Sequence, residues 1–312
     1  GDNNMEEINA IIFGHKNPDT DSICSSLVMQ KYNQNNGWNT KAVRLGEVNK
    51  ETKFVLNYLG IEAPELITKV EDGQSVILVD HNEFSQSAEN IENAKIEMVI
   101  DHHRIANFMT QEPLYYTAKP YGCTCTILFE EFKKANMKIE KTEAVLMLSA
   151  IVSDTLLFKS PTCTKHDIEA CKELSNIANI DVNTYGLDML KAGTDLSDFT
   201  CEQLINIDSK EFVNGDFKFQ VAQVNTASIE DVLKNKEEIE KAMNTFIDNN
   251  GLKLFVFLIT DIINSNSQAI VLGDNTEVFE KAFNKKLENN MAFLEGVVSR
   301  KKQVAPVILN NI

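Results

Sequence analysis

In the first half of the chain, short unbroken apolar runs alternate with stretches whose apolar residues recur every three to four positions. Unbroken runs of four to eight residues are strands covered on both faces, and the spaced pattern is that of helices lying on a sheet. Residues 8–13 form the first run, and a helix follows through Ile23, Leu27 and Tyr32 to Gly37, with Asp21 or Ser22 placed to cap it. Residues 40–45 then read as a strand, residues 50–59 as a helix closed by Gly60, and residues 75–79 and 96–100 as further strands. Residues 123–137 are helical with Ile127, Leu128 and Phe132 on one face. Residues 142–152 are more uniformly apolar, as a more deeply buried helix would be. Helices at 165–178 and 182–190 complete this half.

Residues 191–198, with Gly193 and several small or polar side chains, read as a linker. Beyond it, residues 217–224 alternate as a strand, 229–247 form one amphipathic helix, 252–260 a buried strand, 269–272 a short strand and 278–283 a helical segment. Residues 304–309 read as a last strand interrupted near an edge by Pro306. The pattern predicts an α/β fold in two domains. Residues 1–190 carry a mainly parallel sheet flanked by helices, and residues 199–312 form a smaller α/β domain. No internal repeat or low-complexity segment is present.

Three strands of the larger domain end in chemistry. The first runs into Gly14-His15-Lys16-Asn17-Pro18-Asp19-Thr20-Asp21, where Pro18 stiffens the loop; the others end in Asp80-His81-Asn82-Glu83 and Asp101-His102-His103. One acidic residue at a strand end is an ordinary turn or cap residue. Three such ends are what a parallel sheet needs to build one site, because ligands bind beyond the carboxyl ends of its strands. The helix at 142–152 is followed by Ser153-Asp154-Thr155, which sets a carboxylate against the negative end of the helix dipole; a nearby cation would remove that conflict. In the smaller domain, Ser299-Arg300-Lys301-Lys302-Gln303 is the densest basic cluster. Alone it would be a solvated loop; facing the carboxylates it would bind an anion.

Composition narrows the chemistry. With 312 residues, 43% of them hydrophobic and 24% charged, the chain can bury a core in each of two domains. No apolar run approaches the ~20 residues of a membrane span, residues 1–7 are polar, unlike a signal sequence, and Met5 is a candidate start, so a cytoplasmic protein is expected. The formal charge of −16 argues against nucleic acid, although a small phosphate ester could bind where basic groups are local. The six cysteines lack metal-finger spacing and read as reduced buried thiols. Four of the five histidines, His15, His81, His102 and His103, fall in or beside the strand-end clusters.

Collected, the candidates are His15, Asp19, Asp21, Asp80, His102 and Asp154. Four crowded carboxylates repel one another unless cations are present. Mixed nitrogen and oxygen ligands without thiolate suit Mn²⁺, Co²⁺, Zn²⁺ or Fe²⁺ better than Ca²⁺. Asp80 is the natural bridge between two ions, and a pair roughly 3.5–4 Å apart is a device for hydrolysing phosphoryl bonds.

The strings GHKNPDTD, VDHNE, IDHHRIANF, VSDTLLFKSPT and SRKKQ, in this order, resemble the motif set of the family II (manganese-dependent) inorganic pyrophosphatases of the DHH phosphoesterase superfamily. The resemblance spans nearly the whole chain and implies a DHH domain followed by a DHHA2-type domain. It implies hydrolysis of pyrophosphate to two orthophosphates by a metal-bridged hydroxide, in a site between domains that a hinge would close. It implies two Mn²⁺ per subunit, with Co²⁺ as an alternative, and Mg²⁺ arriving with the substrate. His15, Asp19 and Asp80 would hold one ion and Asp21, Asp80, His102 and Asp154 the other. His103 would face the substrate, Lys210, Arg300 and Lys301 would bind phosphate, and Gln86 is a weaker neighbouring match. Asp101 reads as the carboxylate that orients an imidazole. The resemblance also implies a homodimer through the N-terminal domain, and the short connection between Leu59 and Ser75 leaves no room for the CBS regulatory insert some members carry.

Two other readings compete. An exopolyphosphatase or another DHH-type phosphoesterase would share much of the site, although nuclease-like relatives usually carry a glycine-rich loop and this chain has no glycine pair. A catalytically silent metal-binding regulatory protein should have lost a ligand or basic position, and none is missing.

Overall fold

The computed structural model describes residues 9–312. Ile8, read as the start of the first strand, and the residues before it, Met5 among them, lie outside the described residues. The chain divides into two compact units, one running to Phe158 and resuming over Cys163–Leu190, the other made of Lys159–Thr162 and Lys191–Ile312.

The first unit begins with β1 (Ala10–Phe13), α1 (Thr20–Asn35), β2 (Thr40–Arg44), α2 (Lys50–Leu59), β3 (Glu65–Leu66) and β4 (Ser75–Val79). It continues with β5 (Lys95–Asp101), β6 (Tyr115–Ala118), α3 (Thr124–Lys134), α4 (Lys141–Thr155), α5 (Lys165–Ala178) and α6 (Val182–Ala192). The sheet order is β3-β2-β1-β4-β5-β6, and every pairing is parallel. The central strands β1, β4 and β5 are buried on both faces, so on β4 Val76 and Leu78 join one core while Ile77 and Val79 are buried as well. From β1 the chain builds outward to β2 and β3, then returns to lay β4, β5 and β6 on the other side. That reversal opens a crevice above the carboxyl ends of β1 and β4. The short edge strands β3 and β6 carry no unbroken apolar run and leave no strand signal in the sequence.

Two local expectations change here. Helix α1 is capped by Asp19, whose carboxylate accepts from Ser22 N at 2.8 Å, rather than by Asp21 or Ser22. Pro18 holds the loop so that Asp19 is the last extended residue. Helix α4 runs through Asp154 to Thr155, so Asp154 sits on its final turn instead of beyond it. The helix stops because Leu156, Leu157 and Phe158 all take left-handed backbone, a conformation that is costly for bulky side chains.

The second unit contains α7 (Cys201–Leu204), β7 (Ser209–Asn214), β8 (Phe217–Thr226), α8 (Ile229–Leu233), α9 (Lys236–Asn250), β9 (Leu254–Asp261), β10 (Asn266–Leu272), α10 (Thr276–Phe283), β11 (Met291–Leu294) and α11 (Ala305–Leu309). Its sheet, in the order β11-β10-β9-β8-β7, is mixed: β8 and β9 are parallel and the remaining pairs antiparallel. On β9, Phe255, Phe257 and Ile259 enter one core while Leu254, Val256 and Leu258 enter the other, which accounts for its unbroken apolar run.

The expected single helix at 229–247 is two, α8 and α9, because the chain breaks at Asn235. The expected strand at 304–309 is also corrected. Arg300–Val304 forms a π-type turn, with Ala305 N donating to Arg300 O, and continues into α11. Pro306 lies in the first turn of that helix, where its missing N–H costs nothing.

Candidate active site

Three strand ends and two helix ends deliver side chains to one place. His15 and Asp19 follow β1, Asp80 follows β4, His102 and His103 follow β5, Asp21 opens α1 and Asp154 closes α4. The ligating atoms of His15, Asp19 and Asp80 lie within 4.8 Å of one another, as do those of Asp21, Asp80, His102 and Asp154. Asp80 belongs to both groups. Its Oδ2 is 3.4 Å from His15 Nε2, and its Oδ1 is 3.0 Å from His102 Nε2.

The backbone is shaped to make this contact. Asp80 has φ 60°, a left-handed conformation that aspartate tolerates better than most residues. His81 braces the turn, its Nδ1 donating to Val79 O at 2.9 Å and its Nε2 accepting from Ser87 Oγ at 2.9 Å. Burial pushes His81 down to about 4, so it stays neutral and structural and is no part of the ligand groups. Gly14 lets the start of α1 approach β1, since a Cβ there would meet Ser22 Cβ at 2.4 Å. That approach puts Ser22 Oγ 2.9 Å from Asp80 Oδ2, to which it donates.

Both imidazoles of the groups are held in one tautomer. His15 Nδ1 donates to Lys16 O at 2.6 Å and His102 Nδ1 to Tyr121 O at 2.9 Å, which turns the Nε2 lone pair of each toward the carboxylates. A neutral His102 Nε2 and Asp80 Oδ1 are both acceptors, so at 3.0 Å a proton or a cation must lie between them. The carboxylates carry the same message. Burial, and next the charge of Asp80, push Asp21 up to about 7, and burial with Asp21, Asp19 and Asp80 pushes Asp154 well above the usual range. Burial works against ionised Asp80 too, but where a proton joins it to His102 and to His15 the resulting bonds outweigh burial and hold its carboxyl well below the usual range. A donor set of two imidazoles and four carboxylates sharing one bridge fits divalent ions of the manganese type, which would relieve these shifts.

His103 stands beside these groups. Its Nδ1 donates to Asp101 Oδ1 at 2.7 Å, leaving Nε2 as the ring's other functional atom. Asp101 also accepts from His102 N at 2.8 Å and from Asn82 Nδ2 at 2.7 Å. Burial alone would raise the Asp101 carboxyl, yet His103 and His102 hold it below the usual range. Asn82 further donates to Arg104 O at 2.7 Å and accepts from Ala106 N at 3.1 Å, so it pins the loop after β5. Gln86 lies in the short turn Phe84–Gln86, and its carbonyl accepts from Lys16 N at 2.8 Å.

In the second unit, Lys210 is on β7 directly across from Val221 of β8. Arg300 NH1 donates to Val221 O at 3.2 Å and to Asp208 O at 3.2 Å, while NH2 donates to Asp208 Oδ1 at 2.7 Å. Arg300 and Lys210 are therefore neighbours, both buried, with Lys301 following on the π-type turn. Gln303 locks the turn: its Oε1 accepts from Val298 N and Ser299 N at 2.9 and 3.0 Å, and its Nε2 donates to Gly296 O at 2.9 Å. Sequence alone points to no role for Asn82, Asp208 and Gln303, and to no more than a helix cap for Ser22. Their only signal was position inside or beside a motif.

Residues 9–151 match the DHH family, N-terminal domain, and residues 187–311 match the DHHA2 domain. The chain is 54% identical over 305 residues to the manganese-dependent inorganic pyrophosphatase of Bacillus subtilis strain 168, covering 97% of this chain and 98% of that one. A Bacillus velezensis relative assigned to the same family is 55% identical over 309 residues, covering 99% of both. A crystal structure from Methanococcus jannaschii, assigned to the family II inorganic pyrophosphatases, superposes with a TM-score of 0.91 at 42% identity, over 97% of this chain and 99% of that one. An exopolyphosphatase-related protein from Bacteroides fragilis shares the fold alone, at TM-score 0.50 and 14% identity over 98% of this chain and 91% of that one. With both domains matched and half or more of its residues identical to relatives over nearly their full length, the chain belongs to the family II, manganese-dependent inorganic pyrophosphatases.

Proposed function

We infer that this protein hydrolyses inorganic pyrophosphate to two orthophosphates. The observation that carries the reading is the placement of Asp80, one oxygen toward His15 and the other toward His102, in a chain so similar to named pyrophosphatases. His15, Asp19 and Asp80 would hold one Mn²⁺ and Asp21, Asp80, His102 and Asp154 a second, with Co²⁺ as a substitute and Mg²⁺ arriving with pyrophosphate. Such ions supply Lewis acidity, lowering the pKa of water and drawing charge from phosphoryl oxygens.

The chain's own groups do the rest. Asp80 is shared between the two ligand groups, and Ser22 keeps its carboxylate in place. His103, fixed through Nδ1 by Asp101, offers Nε2 to the bridging or leaving oxygen and carries the proton that the departing phosphate needs. Lys210, Arg300 and Lys301 bind phosphate oxygens, Arg300 with a guanidinium whose orientation Asp208 sets, and Gln86 contributes a weaker polar contact. Residues 1–190 would act as the metal-binding part, 191–198 as linker and 199–312 as the substrate-binding part.

A cytoplasmic homodimer paired through the N-terminal part completes the proposal, supported by the family resemblance; sedimentation of the native protein tests the dimer. Among the described residues no helix is long and apolar enough to cross a membrane. The charge of −16 speaks against nucleic acid as a partner. Orthophosphate release from pyrophosphate and from long-chain polyphosphate, with Mn²⁺ and Mg²⁺, tests the activity. Release from pyrophosphate is expected to dominate. Preference for the polymer would transfer the protein to the exopolyphosphatases, and binding without release would make it a silent regulator.

A further inference from the structure

Asp21 is fully buried on the first turn of α1, and its carboxylate meets the start of α3, about a hundred residues further along the chain. Cys123, the residue that caps α3, places its sulfur 3.1 Å from Asp21 Oδ1, and Cys125 N donates to the same oxygen at 3.2 Å. Thr124 N donates to Oδ2 at 2.9 Å. A sulfur this close to a carboxylate oxygen bonds it as an S–H donor, since a thiolate there would repel it.

Counting lone pairs gives the consequence. Each carboxylate oxygen has about two acceptor positions, so the thiol and the Cys125 N–H saturate Oδ1. Oδ2 takes one N–H and keeps one position, and it is this oxygen that lies 3.6 Å from His102 Nε2. The positive end of the α3 dipole favours the ionised form of the carboxylate it holds. We propose that Cys123, together with the first N–H groups of α3, is a positioning residue for Asp21, and that the grip leaves Oδ2 as the single oxygen Asp21 offers to a metal ion. The proposal rests on the reading of Asp21 as a metal ligand. Cys24, buried on the next turn of α1, provides a control, because among the described residues its thiol makes no hydrogen bond to Asp21.

The test is Mn²⁺ binding to the full chain, read as free Mn²⁺ by electron paramagnetic resonance and as heat by titration calorimetry. It compares the parent protein with Cys123→Ala, Cys123→Ser, Cys24→Ala and Asp21→Asn. Cys123→Ala is expected to weaken one class of Mn²⁺ site about tenfold, within the range for losing a group that orients a ligand. Cys123→Ser, which keeps a donor, should restore binding to within about threefold of the parent, and Cys24→Ala should match it. If Cys123→Ala does not fold, Cys123→Val, similar in size and without a donor, takes its place. Equal Mn²⁺ affinity for Cys123→Ala and Cys24→Ala would overturn the proposal while leaving the metal reading intact. A parent protein without saturable Mn²⁺ binding, or an Asp21→Asn variant that binds like the parent, would instead overturn the metal reading on which it depends.

Discussion

His102 Nε2 lies 3.0 Å from Asp80 Oδ1 while the other nitrogen of the same ring donates to the Tyr121 carbonyl. Two acceptors at that distance require a positive species between them, and the second oxygen of Asp80 repeats the arrangement toward His15 at 3.4 Å. Replacing Asp80 by Asn keeps the volume and removes the charge from both groups at once. Asp80→Asn is expected to lower orthophosphate release by at least about 100-fold and to weaken Mn²⁺ uptake in equilibrium dialysis, since even outer partners of metal ligands are worth 10–100-fold. Unchanged Mn²⁺ stoichiometry in that variant would refute the shared-carboxylate reading.

The raised carboxylates make the stability of the metal-free protein depend on pH. Asp21 has a folded-state pKa of about 7 against an ordinary 3.8, so between these values the folded state binds more protons than the unfolded chain. Stability from this source is full below about pH 4 and is lost as pH rises through about 7, with Asp154 acting in the same direction. Asp80 and Asp101 act the other way, and their contribution disappears only as the solution becomes more acidic than an ordinary carboxylate pKa. Chelator-treated protein should therefore lose about 5 °C or more of melting temperature between pH 5 and pH 7.5, and Mn²⁺ should restore more at the higher pH. A metal-independent slope in differential scanning calorimetry would contradict this.

Gly14 is needed for its lack of a side chain. A Cβ at this position would lie 2.4 Å from Ser22 Cβ and 2.8 Å from Ser22 Cα, so the start of α1 must move. Gly14→Ala is expected to cost roughly 1–3 kcal/mol of stability by overpacking. Because Ser22 bonds Asp80, the same shift should weaken Mn²⁺ binding. Thermal melts with and without Mn²⁺ separate the two effects, and a variant that melts and binds like the parent would show the approach to be soft.

The basic residues of the second unit should act on substrate and leave the metal alone. Lys210→Ala removes one buried cation, and Arg300→Lys cannot reproduce the fork held by Asp208 and the Val221 carbonyl. Each is expected to raise KM for pyrophosphate about 10–100-fold, the worth of a charge-assisted hydrogen bond, with Mn²⁺ affinity unchanged. Loss of metal in either variant would mean that these side chains serve the fold.

Much of this architecture is written locally. Apolar runs such as Val76–Val79 and the spaced apolar positions of α2 and α5 mark strands and helices without knowledge of partners, because burial on two faces and on one face leave different periods. The residue types at the strand ends also announce a cation-seeking site, since four acidic groups have few other reasons to cluster with imidazoles. Local pattern fails where context decides. Residues 304–309 look like a strand by composition, yet the Gln303 lock and Pro306 in a first helical turn make them a helix. The short edge strands β3 and β6 exist only because β2 and β5 give them a partner.

The sequence by itself determined the two-part α/β plan and the identities of the acidic, imidazole and basic groups, because periodicity and side-chain type are properties of neighbours along the chain. Tertiary structure alone decided how each group is used. It split Asp80 between two imidazoles, made Asp19 a helix cap, gave Asp21 to Cys123 and oriented Arg300 through Asp208. Most of these are hydrogen bonds or close approaches between residues tens of positions apart or more, short in range and strict in angle, so they take form only once the sheet and helices have fixed the distances.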